Sequence, residues 1–322
     1  MATSAKAIAA DVLILGGGPA GLAAAQALSR QIIPTIIFDS GRYRNTPTAH
    51  MHNVIGFDHK PPSEFRATAR KDLQALYQSN TFVDRAVTGL KKLASGGFEA
   101  TDAEGQTYSS KKIVLATGVR DVLPPIEGFE AAWGSAVFHC LFCHGFEERG
   151  SKKAAVLVDG PLANPAFLPH VSAIAGMAQR MADEVVLYTN GNEDVKTKLE
   201  SIVAATILKV QVDSRKVSKL EKLDMESSER LAVHFGDEEK DVLGFMVHLP
   251  NFEVNVPKSW RDGLGLELNE MGDLKLDQKQ QTTCPGIYAA GDHNGMMKTV
   301  PHAMFTGSTA GGYIVHDLVL GH

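Results

Sequence analysis

The chain has 322 residues, 44% hydrophobic and 21% charged, with a formal net charge of -5. That length calls for two lobes rather than one, and the balance is that of a soluble globular protein. The acidic balance and scattered Lys and Arg exclude a general attraction to nucleic acid or to anionic membranes. Residues 1–10 lack the basic start and long apolar core of a signal peptide, and no run approaches the ~18 apolar residues of a membrane span. With three cysteines there is no disulfide framework. The expectation is a soluble, cytoplasmic protein without membrane or nucleic-acid partners.

In chain order, Asp11-Val-Leu-Ile-Leu15 reads as a strand buried on both faces. It runs into Gly16-Gly-Gly18-Pro19-Ala20-Gly21 and then into Leu22-Ala-Ala-Ala-Gln-Ala-Leu28, a strong helix former. A second apolar run, Thr35-Ile-Ile-Phe38, ends at Asp39, followed by Ser40. Gly16, Gly18 and Gly21 occupy the three positions of a dinucleotide fingerprint. Gly16 permits the tight turn, Gly18 lets backbone approach a pyrophosphate, and Gly21 lets helix and strand pack closely. The helix N-terminus offers N–H groups to the pyrophosphate, and Asp39 can accept from a ribose hydroxyl. This motif alone does not decide between NAD and FAD. Ser95-Gly-Gly97 and Gly105 mark turns of a small β segment over 97–101 and 107–108.

Lys112-Ile-Val-Leu-Ala116-Thr117-Gly118 is a further strand with a glycine end, and Gly286-Ile-Tyr-Ala-Ala-Gly291-Asp292 is another near the other end of the chain. Together these resemble the paired signatures of the two-dinucleotide-domain flavoprotein disulfide reductases. The resemblance implies FAD, with Asp292 bonding the ribityl-phosphate region. It also implies a discontinuous FAD domain, 1–119 and 246–322, bracketing an inserted domain, 120–245. His50, His52 and Asn53 fall where that family has a flavin-contacting loop, His52 and Asn53 being the candidate contacts.

His139-Cys140-Leu-Phe-Cys143-His144-Gly145 admits four readings. A zinc half-site lacks a second ligand pair, because Cys284 is isolated, and no metal site is expected. Cys-x-x-Cys-His is also a c-type haem attachment pattern, but nothing directs export. Two buried structural cysteines are a third reading. The fourth, a redox dithiol at a helix start, would have one thiol acidified by the helix N-terminus and a flavin to receive two electrons. Cys284 itself reads as a packing residue, and Trp133 and Trp260 likewise. Arg215 to Asp241 reads as a solvated, β-rich surface.

Segment order, length and the position of Cys-x-x-Cys resemble low-molecular-weight thioredoxin reductases over essentially the whole chain. The implied fold is α/β, with two Rossmann-like, three-layer ββα domains. Two departures stand out. His144 replaces the usual Asp after the second cysteine and is an imidazole able to exchange a proton near neutral pH. After the strand Ala154-Ala-Val-Leu-Val158, the second glycine motif is replaced by Asp159-Gly160-Pro161-Leu-Ala-Asn-Pro165. Its prolines remove N–H donors, and no arginine cluster follows the next strand, 184–189. The second domain is therefore expected not to bind NADPH.

These features resemble the fungal dithiol oxidases of epipolythiodioxopiperazine biosynthesis, the gliotoxin and holomycin oxidase group. Cys140-Leu-Phe-Cys143-His144-Gly145 and Val300-Pro-His302-Ala-Met304 carry that resemblance. It implies a homodimer that oxidises a small-molecule dithiol to an intramolecular disulfide, or rearranges such a bridge, with molecular oxygen as acceptor. Cys140, Cys143, His144 and His302 would be catalytic. The alternative is an NAD(P)H-dependent thioredoxin-type disulfide reductase.

Overall fold

A computed structural model describes residues 7–224, 226–236 and 239–321. Residues 1–6 of the polar start, and 225, 237 and 238 of the charge-rich stretch, lie outside the described residues. The chain divides into two compact units, one made of Met1–Thr46, Val54–Arg120 and Phe252–His322, the other of Pro47–Asn53 and Asp121–Asn251.

The first unit is built on a five-stranded parallel sheet in the order Ile287–Ala289, Lys112–Leu115, Val12–Leu15, Thr35–Phe38, Asn80–Val83. Val12–Leu15 is buried at every position, as a parallel strand covered on both faces requires. Alternate side chains serve different cores. Leu13, Leu15, Ile36 and Phe38 pack with Phe98, Ala100 and Tyr108 of a second, largely antiparallel sheet. Val12, Ile14 and Ile37 pack with Ala24, Leu28, Ala310 and Ile314 of the helices Pro19–Ser29 and Val300–Leu320. These two helices approach closely because their contact is made of small residues. A Cβ on Gly307 would lie 2.2 Å from the Ala20 carbonyl oxygen, and one on Gly311 would lie 2.8 Å from Ala27 Cβ. Sheet, sheet and helices give the three layers expected.

The second unit repeats the plan. Its five parallel strands run Val137–Phe138, Phe245–Val247, Ser151–Leu157, Ala182–Tyr188, Val210–Asp213. The helices Leu168–Ala178 and Glu193–Ala204 pack on one face. The antiparallel strands Lys219–Lys222, Leu231–His234 and Lys240–Leu243 pack on the other. The stretch from Arg215 to Asp241 is β-rich as expected, but it is not merely a solvated surface. Leu220, Leu231 and Val233 are fully buried on its inner side, because a period of two lets a charge-rich strand carry one apolar face.

The second crossing between units falls after Asn251 rather than at 246. Phe245–Val247 is a strand of the inserted sheet, pairing on either side with Val137–Phe138 and Ser151–Leu157. Pro47–Asn53, expected with the FAD domain, groups with the inserted unit. Trp260 and Cys284 are buried in the first unit's core, where burial pushes the Cys284 thiol up. Among the described residues no helix is long and apolar enough to cross a membrane.

Candidate active site

In the first unit the glycine turn is shaped by backbone collisions. Gly16 adopts φ 121°, and a Cβ there would lie 2.2 Å from the Ala116 carbonyl oxygen. A Cβ on Gly21 would lie 1.9 Å from the Gly16 carbonyl oxygen. Both substitutions collide with main chain, which cannot step aside as a flexible side chain does. Gly18 differs, because a Cβ there meets nothing within 4 Å. Gly18 is the N-cap of Pro19–Ser29, no side chain caps that helix, and its first turn holds no acid. Open space over an uncapped helix N-terminus, with Ala20 and Gly21 in its first turn, is the cradle a pyrophosphate needs. Sequence reasoning passed over Gly17, where a Cβ would lie 2.3 Å from Asp39 Oδ2.

Asp39 ends its strand buried, accepting from the Gly41 N–H at 2.9 Å and the Tyr43 hydroxyl at 2.6 Å. Burial, reinforced by Asp39, pushes the Tyr43 phenol up to about 12, so it remains a donor. Each carboxylate oxygen has a second lone pair for a ribose hydroxyl, and Ser40 beside it is exposed. These features fit the adenosine half of a dinucleotide.

The distant segments meet this turn in the same sheet. Lys112–Leu115 leads into Ala116, whose carbonyl faces Gly16, then into Thr117 and Gly118, the last with φ 65°. Ile287–Ala289 leads to Gly291, φ 85°, whose N–H donates to Thr306 Oγ1 at 2.9 Å. Asp292 pairs with Arg44 at 3.0 Å. Sequence reasoning missed Arg44; its faint signal is the Arg42-Tyr-Arg44 run just past the acidic strand end. It also missed His293, which is wholly buried with Nε2 3.1 Å from Thr117 Oγ1 and ties the two motifs together. Burial pushes His293 down to about 4, so it is neutral at neutral pH. Its buried Nδ1 has no partner among the described residues. His302 lies in the first turn of Val300–Leu320, capped by Thr299, with Nε2 3.2 Å from the Asn294 carbonyl. A carbonyl only accepts, so Nε2 carries the proton.

In the second unit Cys140 and Cys143 are joined by a disulfide, Cα atoms 5.3 Å apart. They do not sit at the start of an α-helix as expected. They share one backbone turn, in which the Cys143 and His144 N–H groups reach the Cys140 carbonyl at 3.2 and 3.1 Å, and a three-residue 3-10 helix, Phe146–Glu148, follows. The turn itself therefore supplies no α-helix macrodipole to either sulfur, although the Cys143 N–H lies 3.1 Å from Cys140 Sγ. Gly145 closes the turn where a Cβ would lie 2.2 Å from the Leu141 carbonyl oxygen.

His144 stacks on Phe138 with ring centroids 4.9 Å apart. Burial, then the charge of His52, pushes it down to about 4 against the pull of Glu147. It is thus a neutral acceptor and a weaker base than the near-neutral imidazole expected. His52, expected as a cofactor contact, places Nδ1 2.7 Å from the Cys143 carbonyl and Nε2 3.3 Å from Glu147. Asn53 beside it adopts φ 62°, which Asn tolerates better than most residues. Phe142 and Phe146 flank this turn, 71% and 63% exposed.

The second unit's own nucleotide position is altered. Between Ser151–Leu157 and Leu168–Ala178 lies a 3-10 helix, Gly160–Ala163, rather than a direct entry into an α-helix. Asp159 takes the Gly160 N–H at 2.7 Å and the Asn190 amide at 2.9 Å. The cleft there, about 420 Å³, is lined by Asp159, Asn190, Asn192, Glu193 and Asp194 among others. Carboxylates where a phosphate would bind repel it.

Residues 10–307 match the family model described as pyridine nucleotide-disulphide oxidoreductase. The chain belongs to this family, which implies use of a flavin, and it is a thiol/disulfide oxidoreductase of the thioredoxin reductase-like type. It is 40% identical over 303 residues to thioredoxin reductase tcpT of Claviceps purpurea, covering 94% of this chain and 92% of that one. It is also 40% identical over 311 residues to thioredoxin reductase aclD of Aspergillus oryzae, covering 96% of each. Among solved structures, an oxidoreductase from Agrobacterium tumefaciens superimposes with TM-score 0.83 at 29% identity, covering 98% of this chain and 100% of that one. The resemblance to thioredoxin reductase-like fungal enzymes read from the sequence is borne out by these relatives.

Proposed function

We propose that this chain is an FAD-dependent oxidase that closes a small-molecule dithiol to an intramolecular disulfide through Cys140 and Cys143, with O2 as final acceptor. The observation that carries this reading is a redox-type cysteine pair retained in the same unit as a second nucleotide position lined by the carboxylates of Asp159, Glu193 and Asp194. An electron input from NADPH is therefore disfavoured, while the dithiol remains. Gly16, Gly18, Pro19, Ala20, Gly21, Asp39 and Ser40 would hold the adenosine diphosphate half of FAD. Ala116, Thr117, Gly118, Gly291 and Asp292 would hold the ribityl half, with His302 near the flavin and Asn53 a further contact. When bound, FAD supplies a two-electron acceptor for the reduced cysteines and a donor to O2, which becomes H2O2.

The thiol chemistry needs only exchange. A substrate thiolate attacks one sulfur of the disulfide, Cys140 in the family pattern, forming a mixed disulfide and expelling Cys143 as thiolate. The second substrate thiolate attacks the substrate sulfur of that mixed disulfide, closing the product and expelling Cys140. Neutral His144 is one acceptor for the two substrate protons, which finally reside on peroxide. The exposed rings of Phe142 and Phe146 give apolar surface suited to a small cyclic natural product of the epipolythiodioxopiperazine kind.

The second reading, an NAD(P)H-dependent thioredoxin-type disulfide reductase, is favoured by the names of the fungal relatives. Counting products separates the two. With a dithiol substrate in air, one H2O2 should form per disulfide closed, without added NADPH. Disulfide closure without peroxide or oxygen uptake would sink the oxidase reading.

A further inference from the structure

A positive neighbour helps a reduced cysteine pair hold a thiolate at neutral pH, and among the described residues around this turn several candidate sources are engaged elsewhere. The turn that carries Cys140 and Cys143 enters a three-residue 3-10 helix rather than an α-helix. His144 is packed flat on Phe138 and kept neutral. Arg149 lies over the Phe146 ring at 4.0 Å and donates to the Phe146 carbonyl. Arg230 is spent on both oxygens of Glu148.

His52 remains. Its Nδ1 faces the Cys143 carbonyl at 2.7 Å, and its Nε2 faces a Glu147 oxygen at 3.3 Å. A carbonyl accepts only, and so does a carboxylate. A ring placed between two acceptors can donate to both only with a proton on each nitrogen, and that is the form this geometry favours. Its side chain is 11% exposed, which limits screening by solvent.

We propose that His52, anchored by Glu147, is a positioning residue whose charge stabilises the thiolate of the reduced Cys140–Cys143 pair. This rests on the reading of that pair as the redox centre. Stabilising the reduced form makes the disulfide a stronger oxidant, the poise required of a pair that collects electrons from a substrate dithiol. His52 thereby acts on the cysteines.

The test is the equilibrium constant for reducing the pair in the holoenzyme. It is read by thiol trapping after anaerobic equilibration in reduced and oxidised dithiothreitol. His52→Gln keeps a donor for the Cys143 carbonyl but removes the charge. It should lower the constant about tenfold, equivalent to ~30 mV for this two-electron couple. His52→Lys, which restores a cation, should stay within about threefold of the unmodified enzyme. The proposal is overturned if His52→Gln lies within twofold of the unmodified enzyme, or if His52→Lys falls as far as His52→Gln. If the unmodified pair takes up no electrons across the buffer range, the redox reading beneath the proposal fails instead.

Discussion

Cys143→Ser should reduce dithiol-dependent oxygen uptake at least about a thousandfold, because removing one member of a group that acts as a unit removes nearly all its effect. A serine oxygen forms no bond with sulfur under these conditions, so the exchange sequence cannot pass its electron pair onward. The flavin should stay bound, since the glycine turn, Asp39 and the Thr117 and Asp292 segments belong to the first unit while the substitution lies in the second. The visible spectrum of the purified variant checks retention, and an oxygen electrode checks uptake. Full oxygen uptake by a flavin-loaded variant would falsify a route through the cysteines.

The second large effect separates cofactor binding from folding within one motif. Gly18→Ala should weaken FAD binding on the order of a hundredfold, ~2.7 kcal/mol, with the stability of the FAD-free protein changed by less than ~1 kcal/mol. The reason is the open space over Gly18, where an added methyl meets no protein atom within 4 Å. It meets only what binds there. Gly16→Ala and Gly21→Ala should behave differently, each destabilising the FAD-free protein by more than ~3 kcal/mol, because their methyl groups strike main chain at 2.2 and 1.9 Å. FAD titration by fluorescence and urea unfolding of the stripped protein measure the two quantities. Unaltered FAD affinity in Gly18→Ala would remove the cradle assigned to that turn.

What could be read from the residues followed local pattern. The Val12–Leu15 strand, the glycine turn and Asp39 are contiguous, so periodicity and spacing carry them, and the same holds for the Thr117 and Asp292 strand ends. The Cys140–Cys143 pair is equally local. Contacts between distant segments escape such reasoning. Arg44 and Asp292 are 248 positions apart, and His52 reaches Cys143 across 91. His52 was legible as a candidate in a flavin-contacting loop, but its approach to the Cys143 carbonyl was not. The helix start expected at the cysteines failed because the chain there makes a single backbone turn and, after Gly145, enters only a short 3-10 helix. The second crossing was misplaced because Phe-Met-Val, fully buried at 245–247, reads equally well as a strand of either sheet.

The direction of electron flow is tested most directly by anaerobic reduction of the FAD-loaded enzyme with NADPH and with a small dithiol, side by side. The dithiol should bleach the flavin at the rate of turnover, and NADPH should leave it oxidised over the same period. Rapid bleaching by NADPH, with the dithiol inert, would contradict the oxidase reading and identify a reductase.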